Sequence, residues 1–175
     1  MIPGPSDSQG VLESARKGVI VDTNLLVVYM VGLFDRKLVP AFSRTKGYSS
    51  EDFDVLARLM AQCRAVFVTP QVLAELSNLT PDSTDPRLVG YFETIIQVLW
   101  KTREEYVPKE QMLGSDLLPR IGFTDLSILQ AAKKHGLLVL TDDLKAAKCL
   151  RDAGVDVLNM DAVRGGIWLR NKGEN

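Results

Sequence analysis

Residues 121–143 read Ile-Gly-Phe-Thr-Asp-Leu-Ser-Ile-Leu-Gln-Ala-Ala-Lys-Lys-His-Gly-Leu-Leu-Val-Leu-Thr-Asp-Asp and join a helix pattern to a strand pattern. An apolar stripe at spacings of three and four predicts a helix that Thr124 can cap at its start. Gly136 follows basic residues and can adopt the left-handed conformation that ends helices. The apolar run Leu137–Leu140 then predicts a strand covered on both faces, as in a parallel sheet.

Asp125 is the anomalous residue of this helix. Side chains three and four apart share a face, which places Asp125 beside Ile128 and Leu129 on the inward stripe. A carboxylate in apolar surroundings is costly unless it is hydrogen-bonded or bound to a cation. The alternative is a first-turn Asp that the helix dipole favours.

The rest of the chain repeats the alternation of strands and helices. Short apolar runs at 18–21, 65–68 and 155–158 predict three more strands, each followed by a helical pattern. We therefore expect an α/β protein, an α/β/α sandwich with a central, mostly parallel sheet of four to five strands. We assign residues 1–17 to an N-terminal tail with a short helix at 11–17, 18–163 to the folded domain, and 164–175 to a C-terminal helix or tail.

Composition narrows the class of protein. With 175 residues, 46% of them hydrophobic and 25% charged, the chain suits one folded domain. A net charge of −1 gives no overall basic field, so any contact with nucleic acid must come from local clusters or metal ions. Two distant cysteines, Cys63 and Cys149, favour a reducing cytoplasm. Residues 1–17 lack a signal-peptide pattern, and no apolar run is long enough to span a bilayer.

Three further segments carry local expectations. The helix at 88–100 is expected to turn an apolar side inward, formed by Val89, Phe92, Ile96 and Leu99. Residues 33–50 are expected to form a long loop, with a helical turn near 40–43, and Pro119 to end a turn at 109–113. His135 fits a C-terminal helix cap better than a general base.

Acidic residues accompany three more of these elements. Asp22 follows the first strand, although as a helix N-cap it would need no ligand. Glu75 lies between Val72 and Leu79 on an inward stripe, unless its side chain swings to water. Asp143 follows the fourth strand and shares a side with Thr141 if the extended conformation continues.

We expect these acids to gather at the carboxyl edge of the sheet. Clustered carboxylates repel one another and have raised pKa values unless cations occupy the site. Oxygen ligands without nearby His or Cys favour Mg²⁺ or Mn²⁺, which can activate water for phosphodiester hydrolysis.

Four segments, in order, resemble the PIN-domain family of metal-dependent ribonucleases, which includes the VapC-type toxins. They are Val-Ile-Val-Asp22-Thr-Asn-Leu-Leu, Pro-Gln-Val-Leu-Ala-Glu75-Leu, Phe-Thr-Asp125-Leu-Ser-Ile and Val-Leu-Thr141-Asp-Asp143-Leu. The resemblance implies a cytoplasmic metal-dependent endoribonuclease in which Asp22, Glu75, Asp125 and Asp143 are catalytic and hold one or two Mg²⁺ or Mn²⁺ ions. It implies supporting roles for Asn24 and Thr141, and it leaves Asp142 open as the fourth acid in place of Asp143.

The same resemblance implies RNA as substrate, an antitoxin-like protein partner and a homodimer. The intervals between Asp22, Glu75 and Asp125 are longer than in the small toxins, so an RNA-processing role stays open. Basic residues near the loop are candidates for RNA contact, with a solvated surface as the alternative: Arg36, Lys37, Arg44, Lys46 and Lys145.

Two other functions remain as alternatives. A haloacid-dehalogenase-like phosphatase also places an Asp after its first strand, but it needs a second Asp where this chain has Asn24. A PIN-like module without activity, serving as a binding scaffold, would keep the fold and not the reaction.

Overall fold

The computed structural model describes residues 13–79 and 86–164. Its centre is a five-stranded, all-parallel sheet in the order β3-β2-β1-β4-β5. The strands are β1 (Val19–Val21), β2 (Val66–Val68), β3 (Arg103–Glu104), β4 (Leu138–Thr141) and β5 (Val157–Asn159). The predicted α/β/α sandwich is confirmed, with helices on both faces of the sheet.

Helices separate the strands along the chain. Residues 13–17 are helical and are called α1. The others are α2 (Thr23–Phe34), α3 (Ser50–Gln62), α4 (Pro70–Leu79), α5 (Tyr91–Leu99), α6 (Lys109–Leu113), α7 (Leu118–His135), α8 (Leu144–Asp152) and α9 (Met160–Arg164). Short 3₁₀ helices lie at Arg36–Leu38 and Pro86–Leu88. Helices α3, α4 and α5 pack on α2, and α6 and α8 pack on α7.

The strand order follows from the apolar strands and fixes where a site can form. Strands β1 and β4 are buried along their whole length, as their uninterrupted apolar sequences require. They are neighbours, with Val19 paired to Leu138 and Val21 to Leu140. From β1 the chain adds β2 and then β3 on one side of the sheet, and it returns to add β4 and then β5 on the other side. Strands β1 and β4 therefore flank the point where the strand order reverses. Ligands in open α/β sheets bind outside the carboxyl ends of the strands at such a point.

Side-chain hydroxyls cap the starts of α3 and α4. Ser49 caps α3 and forms a reciprocal capping box with Asp52. Thr69 caps α4, its hydroxyl accepting the N–H of Val72 over 3.3 Å, and Pro70 takes the first helical position.

The helices and strands around residues 33–50 and 101–124 differ from those that the sequence predicts. Helix α2 continues to Phe34, and the helical turn lies at Arg36–Leu38 rather than near 40–43. Strand β3 forms from two charged edge residues, which carry no apolar strand pattern. Pro119 lies in the first turn of α7 and does not end α6.

The inward face of α5 was predicted wrongly at three of its four positions. Tyr91 and Ile95 are buried, whereas Val89, Phe92 and Ile96 are exposed. Leu99, the fourth predicted residue, is partly buried against the core. Both sides of this helix are apolar, so periodicity alone could not select the side that packs. Gly90 precedes α5 in a left-handed conformation and separates it from the 3₁₀ helix before it.

Helix α1 packs on the domain. Ser14 and Ala15 are buried, and the Ser14 hydroxyl donates to the Asp156 carboxylate over 2.6 Å. Residues 1–12 of the expected N-terminal tail and residues 165–175 of the expected C-terminal helix or tail lie outside the described residues. Cys63 and Cys149 are free thiols. Within residues 13–79 and 86–164, no helix has the length and apolar character needed to cross a membrane.

Candidate active site

Asp22 lies at the carboxyl end of β1 and is buried. Its Oδ1 accepts the N–H of Leu25 over 2.8 Å, which caps α2, and its Oδ2 accepts the N–H of Asp142 over 3.0 Å. Burial raises the pKa of Asp22 to about 7, the Asp142 carboxylate adds to the rise, and hydrogen bonds from Thr141 and the two backbone groups oppose it. The N-cap interpretation is therefore correct, and the same carboxylate also faces a second acid.

Asp142 is the acid nearest to Asp22. Its carboxylate accepts a hydrogen bond from the hydroxyl of Tyr48, which belongs to the loop before α3. Burial raises the pKa of Tyr48 strongly, and the hydrogen bond to Asp142 and its charge raise it further. The Tyr48 hydroxyl thus stays a donor, and it fixes the Asp142 side chain beside Asp22.

Asp125 forms the second part of the site. Burial raises its pKa to about 6, and the charges of Asp143 and then Glu75 add to the rise. Asp143 itself is exposed and caps α8, with Oδ1 accepting the N–H groups of Lys145 over 2.7 Å and Ala146 over 2.9 Å. Glu75 accepts the hydroxyl of Thr23 over 3.0 Å. Asp125, Asp143 and Glu75, three of the four acids expected to gather, are therefore electrostatic neighbours, whereas the acid whose charge acts on Asp22 is Asp142.

A kink in α7 sets the position of Asp125. Gly122 has φ 77° and ψ 178°, a conformation almost restricted to glycine, so the regular helix begins only after it. Thr124 lies inside that helix and does not cap it. The helix is tied to the start of α4, since the hydroxyls of Ser127 and Thr69 lie 2.7 Å apart.

The two supporting residues differ in their contacts. Thr141 is buried at the end of β4, where its hydroxyl accepts the N–H of Asp143 over 3.1 Å and also hydrogen-bonds Asp22. Asn24 is exposed in the first turn of α2. Thr23, which sequence reasoning missed, holds Glu75 and is the first residue of α2.

Tyr48 is held by a second network that reaches the end of the described chain. The guanidinium of Arg164 lies 5.1 Å from the centre of the Tyr48 ring. Arg164 also pairs with Asp52 at 2.8 Å and with Asp161 at 3.0 Å. We call Tyr48, Asp52 and Arg164 the clasp. It connects α3 and α9 to Asp142.

The candidate RNA-contact residues are exposed: Arg36, Lys37, Arg44, Lys46 and Lys145. Arg36 is bound on the protein itself, with its guanidinium 2.6 Å from Asp54 and 3.1 Å from Glu51. Its charge is therefore largely offset by α3.

His135 does not cap α7 through its side chain. Its Nε2 lies 2.5 Å from Oε2 of Glu105, and Lys134 Nζ lies 2.6 Å from Oε1 of the same carboxylate. Both hydrogen bonds lower the pKa of Glu105, led by Lys134. This pairing ties the end of α7 to the segment after β3.

The acids of the candidate site offer carboxylate oxygens, the type of ligand atom that Mg²⁺ and Mn²⁺ prefer. In the parts of the chain that the structure describes, no basic residue forms an ion pair with Asp22, Glu75, Asp125, Asp142 or Asp143. Carboxylates such as Asp22 and Asp125, whose pKa is raised by burial and by neighbouring acids, are oxygen donors suited to Mg²⁺ or Mn²⁺. In the same described ranges, no three His, Cys, Asp or Glu side chains form a group that could hold a metal ion in their present positions.

Comparison of the sequence with protein-family models gives no match, and comparison with curated proteins gives none either.

Proposed function

We propose that the chain is a Mg²⁺- or Mn²⁺-dependent endoribonuclease that hydrolyses RNA phosphodiester bonds. The observation that carries this proposal is that Asp22, buried at the end of β1, and Asp125, half-buried on α7, lie beside other carboxylates, and that burial and these charges raise the pKa of both. The carboxyl edge of the strands is where parallel α/β sheets bind ligands, and perturbed acids in such a place are candidates for function. The resemblance of four segments to PIN-domain ribonucleases supplies the reaction type.

The residues have distinct proposed roles. Asp22, Asp125, Asp143 and Glu75 would hold the cation after moving closer together than in their present positions, and Asp142 would be a further donor on the Asp22 side. The chemistry that a bound cation would supply is a lowered pKa for the attacking water and compensation of charge on the phosphate. Thr141 orients Asp22, Thr23 orients Glu75, and Tyr48 orients Asp142.

RNA is the proposed substrate, and both a toxin acting with an antitoxin-like partner and an RNA-processing enzyme are compatible with this reaction. Lys37, Arg44, Lys46 and Lys145 are exposed and are proposed to contact the phosphate backbone. The phosphatase alternative is not carried forward because Asn24 replaces the Asp that it needs.

Calorimetric titration with Mn²⁺ tests the site and separates the enzyme from a silent scaffold. We expect binding by the wild-type protein and a loss of affinity of at least about tenfold for Asp22→Asn and Asp125→Asn. Asp152→Asn is the matched control, since this exposed acid of α8 pairs only with Lys148 among the described residues. Absence of binding at millimolar Mn²⁺, or equal affinity in all four proteins, would reject the proposal.

A further inference from the structure

Arg164 contacts three residues with one guanidinium group. Its Nε lies 2.8 Å and its Nη2 lies 3.3 Å from the two carboxylate oxygens of Asp52. Its Nη1 lies 3.0 Å from Asp161 of the same helix, and its guanidinium carbon lies 5.1 Å from the centre of the Tyr48 ring. The planar guanidinium suits this combination, because it can pair with both oxygens of a carboxylate and also lie over an aromatic ring.

Helix α9 is fixed at its start as well as at Arg164. It follows β5 directly, and the last residue of β5 is Asn159, which pairs in register with Thr141 of β4. Asn159 is buried, and its side-chain oxygen accepts the N–H of Asp161 over 3.0 Å. The start of α9 is therefore held at the carboxyl edge of the sheet, where the acids lie, and its end reaches Tyr48.

Tyr48 connects Arg164 to the acids. Its hydroxyl donates to the carboxylate of Asp142, and the backbone N–H of Asp142 donates to Asp22. Tyr48 lies in the loop before α3, and its ring is only partly buried against the core. Core packing therefore covers one part of this side chain, and the guanidinium of Arg164 contacts another.

We propose that Arg164 is a positioning residue of the acidic site, which holds the Tyr48 ring where its hydroxyl reaches Asp142. This role rests on the proposed function, because it gives Arg164 an indirect part in binding the cation. Asp52 anchors the guanidinium from α3. Within the described ranges Arg164 pairs with Asp52 and Asp161 and with none of the five acids of the site, so its effect on them runs through Tyr48.

The charge of Arg164 by itself would have the opposite effect on cation binding. A positive group near the acids repels a divalent cation, so removing it would strengthen binding if charge were its whole contribution. If Arg164 instead positions Tyr48, its removal weakens binding, because Asp142 loses its fixed orientation. The direction of the change in affinity therefore separates the two roles.

Titration of Arg164→Gln with Mn²⁺, followed by electron paramagnetic resonance of the free ion, measures this direction. We expect the affinity to fall about two- to fivefold, as the strength of an exposed cation–π contact implies. Arg44→Gln is the matched control, since it removes the same charge from an exposed residue of the loop that carries Tyr48. Its affinity should be equal to that of the wild-type protein or higher. An unchanged or higher affinity in a folded Arg164→Gln protein would overturn the proposal.

A double variant tests the route through Tyr48. In the Tyr48→Phe background, Arg164→Gln should cause no further loss of affinity, because the hydroxyl that Arg164 positions is already absent. Equal losses in the wild-type and Tyr48→Phe backgrounds would show that the two residues act independently, and would overturn the proposed route.

A measurement on the metal-free protein separates this role from the proposed function. The ¹³Cζ resonance of Tyr48 responds to the hydrogen bond of its hydroxyl, and in Arg164→Gln we expect it to move towards the value of a solvent-exposed tyrosine. The same resonance position in Arg164→Gln and in the wild-type protein would overturn the positioning role. A wild-type protein that binds no Mn²⁺ would reject the proposed function, and the resonance would still decide whether Arg164 positions Tyr48.

Discussion

The backbone N–H of Asp142 donates to Oδ2 of Asp22 over 3.0 Å, while the carboxylate of Asp142 raises the pKa of Asp22. One residue thus both orients the buried carboxylate of Asp22 and repels its charge. The hydrogen bond contributes to a fixed geometry, and the repulsion makes the ionised site unfavourable by itself. A cation beside these two carboxylates would offset the repulsion between them.

The first prediction concerns how the free energy of unfolding depends on pH in the presence of EDTA. The pKa of Asp22 is raised from 3.8 to about 7, so between these values the folded state binds more protons than the unfolded state. The free energy of unfolding should therefore fall as pH rises from about 4 to about 7, by at most about 1.4 kcal/mol per pH unit from this group.

Urea unfolding of the wild-type protein and Asp22→Asn, compared at each pH, isolates this contribution. The difference in unfolding free energy between the two should move in favour of Asp22→Asn as pH rises through this range. A constant difference would show that the Asp22 carboxyl ionises as readily in the folded chain as in the unfolded one.

The two adjacent acids should act on different neighbours. Asp143→Asn should lower the pKa of Asp125, and Asp142→Asn should lower the pKa of Asp22, because each removes the nearest negative charge. Asparagine is a good N-cap, so Asp143→Asn keeps the start of α8. Carboxyl ¹³C NMR titrations of both variants measure these values. If both variants lowered the pKa of the same residue, the division of the site into an Asp22–Asp142 part and an Asp125–Asp143 part would be wrong.

Gly122→Ala should destabilise the protein by about 1–3 kcal/mol, because alanine does not readily adopt φ 77° with ψ 178°. Nothing lies within 4 Å of the added Cβ, so the cost arises from the backbone and not from a clash. Gly47→Ala is the control, as its Cβ also meets nothing and its φ is not in the left-handed region. Equal unfolding midpoints in urea for both variants would show that the kink is not strained for alanine.

Tyr48→Phe should lower the affinity for Mn²⁺ by about tenfold, because it removes the hydroxyl that holds Asp142 and keeps the ring beside Arg164. The unfolding free energy should change by only about 1 kcal/mol. Tyr29→Phe is the control, since Tyr29 of α2 is half-buried against Phe53 of α3. Electron paramagnetic resonance of free Mn²⁺ measures the affinity. Unchanged binding by Tyr48→Phe would exclude a positioning role for the clasp.

The fold could be predicted wherever burial leaves a local pattern. The apolar runs of β1 and β4 are covered on both faces, so their sequences alone identify them. Strand β3 consists of Arg103 and Glu104 and is the last strand of the sheet on its side among the described residues. Two exposed charged residues carry no apolar pattern. The packed side of α5 could not be selected because both sides are apolar.

The acids of the candidate site were predictable for a different reason. Asp125 and Glu75 conflict with local expectation, since they are carboxylates on helix faces that the pattern turns inward. Asp22 follows the first strand, at the edge of the sheet where ligands bind. Tyr48 and Arg164 belong to the site through contacts between residues that are distant in sequence. No local sequence pattern predicts such contacts. A tyrosine in a basic loop and an arginine near the C-terminal end are ordinary surface residues until the fold brings them together.

Incubation of a mixed pool of structured and single-stranded RNA with the purified protein, with Mn²⁺ or with EDTA, tests the ribonuclease most directly. The proposal predicts cleavage by the wild-type protein and by Asp152→Asn in Mn²⁺, none in EDTA, and none by Asp125→Asn or Glu75→Gln in either condition. Cleavage by a folded Asp125→Asn protein at the wild-type rate would contradict the role of the acidic site. Intact RNA in every sample, with folded protein that binds Mn²⁺, would contradict the ribonuclease and leave a metal-binding scaffold.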